Sequence, residues 1–390
     1  MKYSLSQKNI IVIAISVVLI LSLGRLAKSH FDSSYFIVAG SAFVDNTKTP
    51  TPIIVQPGQG YDGQFFYRYA LNPFDLNKDA LGVHIDHPPY RAQRIAYPFF
   101  AWLISFGGNA QLVPWSMLLL NILAFVGIFI YTNKFISFVN GDIKQGLLPL
   151  FLCGIYMSLS HDLSEVVELF LFTGSVYYMF TSGYAWFCVY ATLTILTRET
   201  SMICLFPLAL CMLLRRSEEG KRAPALVIII PFLVFAAWKL IIYHYLPSTS
   251  EAAVGYSSIS IPFKGIIDGF TENFIFSDTK HILQFLFWIA YLLWTVWLVT
   301  IVLKNISFKT LSKLEHIDIL KIAYLSWLLF SVCFSDNIYG DDWGFERIFS
   351  LWSMLGFLIL IVSKKRTGRL FNSFSVLLVL LTIARLIIRV

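Results

Sequence analysis

Apolar runs of about 15 to 23 residues recur along the chain, separated by short polar punctuation. A bilayer core takes about 20 residues of helix. The pattern predicts spans over 9–27, 113–133, 146–160, 163–181, 184–197, 200–214, 224–245, 281–303, 317–335, 345–363 and 371–389, about eleven in all. No run alternates with period two, so a transmembrane barrel has no support. The expected class is an all-α polytopic membrane protein, organised as an N-terminus with first span (1–27), a loop (28–112), a helical module (113–245), a second loop (246–280) and C-terminal spans (281–390). The first loop, about 85 residues long, is unusual for a compact chain and marks a functional segment.

Composition agrees with this picture. At 57% hydrophobic, 14% charged and mean hydropathy +0.69, the 390 residues are too apolar for a soluble globular domain. The net charge of +7 changes meaning once the spans are placed. With a cytoplasmic N-terminus, sixteen of the 30 Lys and Arg residues but only five of the 23 Asp and Glu fall on the inner side. Positive charge is then a topology signal, and nucleic-acid binding has little left to explain. The first span reads as an uncleaved anchor, being longer than a secretory h-region and lacking a small-x-small site after it. The five cysteines lie in or beside spans without metal-ligand spacing.

Within the first loop, Ser34–Val44 is expected to lie along the membrane interface, and Asn46–Gly60 to be an irregular connector. Tyr61 to Leu71 reads as a short helix ended by Asn72-Pro73. Asp62 at its start is either an N-cap or a functional carboxylate. A second short interfacial helix begins at Tyr97-Pro98. His84, Asp86 and His87 are candidate ligands for a divalent cation (Mg or Mn), with a hydrogen-bonded loop as the alternative. Arg91 and Arg94, three apart, share a side if helical, and either hold a phosphate or line a headgroup surface. Arg198-Glu199 interrupts two apolar runs. It is either an ion pair joining two helix ends or a source of a guanidinium fork for phosphate. Arg347 follows the acidic stretch 336–342, whose Asp341-Asp342 reads as a metal site or a solvated loop. Walker A, dinucleotide-binding and HExxH motifs are missing from the sequence.

Three segments in order, SYFIVAG (34–40), GYDGQFFYRYALNPF (60–74) and DHPPYRAQRIAYPFFAW (86–102), resemble the bacterial cell-surface glycopolymer formation family of multi-spanning proteins. More distantly they resemble the C-type (GT-C fold) glycosyltransferases that use polyprenyl-phosphate sugars. SHDLSE (160–165) and LTILTRETSMICLFPLAL (193–210) are similar to further segments of those enzymes. The resemblance implies a GT-C-like bundle with interfacial helices in its first outer loop. It also implies a hexosyl- or pentosyltransferase in a bacterial plasma membrane, with its site facing the periplasm or exterior. The donor would be a polyprenyl-phosphate-linked sugar, the acceptor a cell-surface glycan or glycolipid. Asp62 would then be the general base, and Arg91, Arg94, Arg198 and Arg347 would hold the donor phosphate. Asp86, Asp162 and Glu199 would be supporting acids, and Tyr61, Gln64, Tyr67, Arg68 and Tyr90 would contact substrate.

The chemistry of such a transfer is consistent with one essential carboxylate. A lipid phosphate leaves as a weak base and needs no general acid, so a single base acting on the acceptor hydroxyl suffices for inversion. Glycoside hydrolases, whose leaving group is an alkoxide, need a carboxyl pair. The competing class is a transporter or flippase of a lipid-linked glycan. That class is expected to place polar groups near the midplane and to show repeated halves, whereas here the polar residues gather at one face.

Overall fold

The computed structural model describes residues 5–214, 224–246, 259–304 and 315–389. The basic stretches 215–223 and 305–314, used above for topology, and residues 247–258 of the second loop lie outside the described residues. The first span is α1 (Gln7–Lys28), opened by a Ser6 side chain that accepts from the Asn9 amide and closed by Arg25 and Lys28, where cations suit the helix dipole.

The first loop is built of small pieces. A 3-10 turn (Ser33–Phe36) leads into β1 (Ala39–Gly40), which pairs in parallel with β2 (Val55–Gln56). Next come α2 (Gly63–Leu71), a hairpin of β3 (Asp79–Ala80) and β4 (Val83–His84), α3 (Pro88–Ala92) and α4 (Ala96–Ile104). Within Ser34–Val44, Phe36 packs with Leu26 and Leu118, and Ile37 and Ala39 are buried in the main core, where β1 pairs with β2 and packs on α2.

The helical module holds α5 (Val113–Val139), a 3-10 stretch (Ile143–Phe151), α6 (Cys153–Ser160), α7 (Glu165–Phe180), α8 (Tyr184–Thr197), α9 (Met202–Leu214) and α10 (Ala225–Tyr245). The C-terminal part holds α11 (Lys264–Asn273), α12 (Thr279–Leu303), α13 (His316–Ser331), α14 (Asp336–Tyr339), α15 (Asp342–Val362) and α16 (Arg369–Arg389).

Every predicted span contains a helix, and six or seven of the eleven are long and apolar enough to cross a membrane within the described residues. The six are α1, α5, α10, α12, α15 and α16. The bent pair Ile143–Phe151 and Cys153–Ser160, with a 57° break, makes up to seven. Helices α7, α8, α9 and α13 have 16, 14, 13 and 16 residues. At 1.5 Å per residue they measure roughly 20–24 Å, short of a core about 30 Å thick. Apolarity marks burial against protein as well as against lipid, and α7, buried along most of its length, shows why hydropathy cannot separate the two. The central post is α15, packed on α6, α7, α12 and α13, whereas α1, α10 and α16 turn much of their surface outward.

Candidate active site

Asp62 is positioned by bare backbone. A Cβ on Gly40 would stand 2.2 Å from the Gly60 nitrogen, and Gly60 itself has φ +65°. One residue on, the Tyr61 amide donates to Val38 O at 2.8 Å. A Cβ on Gly63 would stand 2.4 Å from His161 O, so residues 60–63 thread between the 37–40 segment and the end of α6. The Asp62 side chain makes no cap bond to α2. Its Oδ1 accepts from Arg91 Nη1 at 2.8 Å, and its Oδ2 accepts from Arg347 Nη1 and Nη2 at 3.4 and 3.3 Å.

The remaining arginines are held just as firmly. Arg91 clamps Asp86 through Nε at 2.8 Å and Nη2 at 2.6 Å and lies over the Phe65 ring at 4.3 Å. This accounts for the stretch His84 to Arg91: proline starts α3, and α3 presents Arg91 to Asp62. Arg94 grips Glu199 through Nε at 2.9 Å and Nη2 at 2.7 Å, and its Nη2 also donates to the Tyr90 hydroxyl at 2.5 Å. Deeper, Arg198 is in close contact with Glu165 and stands 4.0 Å from Glu168. Arg347 Nε lies 3.3 Å from the same Glu165, so Arg347 bridges Asp62 to the deep pair.

These groups face a cavity of about 720 Å³. Asp62, Asp86, Arg91, Arg94, Arg198, Glu199 and Arg347 line it, together with Tyr61, Gln64, His87 and Tyr90. The lining also carries apolar side chains: Ile203 of α9, Phe330 of α13, Phe334, Ile338 and Ile348. Ile259 of the second loop is among them, and Ser260 N donates to Cys333 O at 2.7 Å. The Tyr61 hydroxyl donates at 3.0 Å to Asp341, which also caps α15 by accepting from the Trp343 and Gly344 amides. Gln64 lines the cavity, but its amide braces the loop: Oε1 accepts from Gly40 N and Nε2 donates to Gln59 O.

Four expected site residues lie elsewhere. Tyr67 and Arg68 are fully buried on α2 and do not line the cavity; Arg68 instead pairs with Asp75 at 2.8 Å. Asp162 is buried at a left-handed φ of 47°, with Asn121 Nδ2 at 3.5 Å, and also lies outside the lining. His84 turns to Asp79 at 2.5 Å while Asp86 turns to Arg91, so the candidate ligand set with His87 does not converge. Among the described residues, no group of three or more His, Cys, Asp or Glu side chains is placed to hold a metal ion. The SHDLSE segment instead brings Glu165 to Arg198 and Arg347, with Glu168 one turn on, and neither carboxylate lines the cavity. Two carboxylates three apart at the head of an apolar run, opposite an arginine between two others, were the available signal.

Electrostatics follow from this packing. Burial pushes the Asp62 carboxyl up, but Arg91, Arg347 and Arg94 together outweigh it and hold the group below the usual carboxylate range. Burial opposes the charge on Arg91 and Arg94, and Asp62 with Asp86, and Glu199 with Tyr90, respectively more than restore it. Both remain cations throughout the accessible pH range. The site is thus a chain of guanidinium and carboxylate groups at the border of a half-apolar cavity, suited to exchange an internal carboxylate for an external anion. No family model, curated protein or solved structure matches this chain.

Proposed function

We propose that the protein is an inverting glycosyltransferase that moves a sugar from a polyprenyl-phosphate donor to a glycan or glycolipid acceptor at the membrane surface. The observation that carries this reading is the mixed lining of the cavity. Arg91, Arg94, Arg198 and Arg347 share it with Ile203, Phe330, Phe334 and Ile348. A ligand that satisfies both has an anionic head and a hydrocarbon tail.

In this reading the donor phosphate takes Arg347, whose bonds to Asp62 at 3.3 and 3.4 Å are longer than the Arg91 bond at 2.8 Å. Exchange of partners frees Asp62 Oδ2. The acceptor oxygen attacks the anomeric carbon from the face opposite the phosphate, and its proton passes to Asp62. The anomeric carbon–oxygen bond breaks with its electron pair going to the phosphate, which the arginines stabilise without a general acid. The Tyr90 and Tyr61 rings lie under the Arg94 and Arg347 guanidinium groups at 4.3 and 4.9 Å and hold them in place for the phosphate.

The test is reconstitution of the purified chain in liposomes with a panel of polyprenyl-phosphate sugars and membrane extract, reading sugar transfer and lipid-phosphate release. Transfer from at least one donor is expected. Translocation of a lipid-linked glycan, with no transfer or hydrolysis from any donor, would replace the enzyme by the transporter.

A further inference from the structure

A second cavity, of about 310 Å³, opens between α1, α6 and α16 and shares no lining residue with the first. Its sides are apolar, with Ile20 of α1 and Ile383 and Ile387 of α16. Ile20 and Ile387 are 69% and 65% exposed, as side chains turned toward lipid are. The end near the C-terminus of α1 is different. Ser22 is only 2% exposed, and its hydroxyl has no hydrogen-bond partner; the Nε of Arg25 is likewise buried without one. Three residues apart, these two side chains share a helix face.

Lys28 completes the polar end and donates to Ile387 O at 3.0 Å, tying α1 to the last turn of α16. Arg25 donates through Nη2 to Tyr35 O at 3.2 Å and lies over the Tyr35 ring. Among the described residues neither cation makes an ion pair. The buried Asp162 acts on Arg25 only at longer range. Two cations without counter-ions and an unanswered hydroxyl, at the mouth of an apolar groove facing lipid, form a receptor for a phosphate with an attached chain.

We propose that this groove holds one anionic phospholipid from the leaflet at the C-terminal end of α1. Its phosphate sits against Arg25 and Lys28, an ester oxygen accepts from the Ser22 hydroxyl, and an acyl chain runs between Ile20 and Ile383. The net negative headgroup distinguishes it from zwitterionic lipid, whose ammonium would meet the same two cations. Occupancy pins α16, whose Arg385 contacts Asp342 at the head of the helix that carries Arg347. The inference is independent of the transferase reading.

The full-length chain, purified in detergent, is titrated with phosphatidylglycerol or phosphatidylcholine of identical chains and retained lipid is counted by native mass spectrometry. One phosphatidylglycerol is expected to be retained at roughly thirtyfold lower concentration than phosphatidylcholine. Arg25→Gln with Lys28→Gln should abolish that preference. Ile387→Trp, which leaves both cations in place, should displace the lipid by filling the groove. Equal retention of the two lipids overturns the proposal, as does a preference that survives both variants. Displacement of phosphatidylglycerol by an equimolar polyprenyl phosphate would also overturn it, by naming a different occupant.

Discussion

Arg198 and Glu199 are neighbours in sequence and belong to different environments. Arg198 turns inward to Glu165, whose side chain is 3% exposed, and Glu199 turns to Arg94 at the cavity wall, where it is 21% exposed. Of the two readings of Arg198-Glu199, an ion pair joining helix ends or a guanidinium fork for phosphate, the first becomes two pairs with different partners. The deep pair has little solvent to replace a missing partner, so it behaves as frame. The rim pair borders a space that water or a ligand can fill, so its partners can exchange.

Breaking the deep pair should have the largest effect. Glu165→Gln leaves Arg198 without its close carboxylate and should cost about 3–5 kcal/mol in unfolding stability, with only part of it recovered in Glu165→Gln/Arg198→Met, because Arg347 also loses Glu165 and Glu168 loses Arg198. Chemical denaturation in detergent reads both, and additive losses in the double variant would contradict the frame assignment. Next, Asp62→Asn should lower sugar transfer at least about a hundredfold while costing only about 1 kcal/mol of stability, because Arg91 keeps Asp86 and Arg347 keeps Glu165. Retained turnover would remove Asp62 as base. At the rim, Arg94→Lys should raise the donor KM about tenfold with a small change in kcat, since a point charge cannot reproduce the two-pronged hold on Glu199 or a phosphate.

Acidification gives a subtler contrast. Asp62 is held below the usual range, so its stabilisation is complete above the unfolded carboxyl value of about 3.9 and fades as pH falls through the folded value. The stability gap between wild type and Asp62→Asn should therefore be constant from neutral pH to about pH 5 and shrink below about pH 4. A gap that varied near neutrality would mean that the arginines do not hold the group. The smallest effect belongs to Asp75→Asn, which loosens Arg68 on the buried side of α2. It should cost about 1 kcal/mol and leave the donor KM unchanged.

Much of this was legible in the sequence, for reasons particular to each part. Apolar runs located the helices, and a charge set between two of them located Arg198, because charge beside lipid is costly unless used; Asp62, Arg91, Arg94 and Arg347 came from their resemblance-bearing or acidic surroundings. Partner choice was not legible: Asp62 meets Arg91 across 29 residues and Arg347 across 285. Helical phase explains the exchange of Asp162 for Glu165. Asp162 sits before α7 in a left-handed turn, while Glu165 and Glu168 share a face of the helix. Tyr67 and Arg68 look like a substrate motif in one dimension, yet α2 is buried along its whole length and gives the cavity little beyond its first turn.

The four short helices carry a consequence for the membrane itself. Helix α8 ends at Arg198 and α13 brings Phe330 to the cavity, and both have lipid-type exposed side chains, Trp186 and Leu329 among them. At roughly 21 and 24 Å they fall short of an ordinary hydrocarbon layer. A bilayer meets such a mismatch by thinning, so a dimple should form against this flank. Headgroups there would sink toward the mouth of the cavity, shortening the climb for a lipid-borne phosphate and bringing water to the same depth.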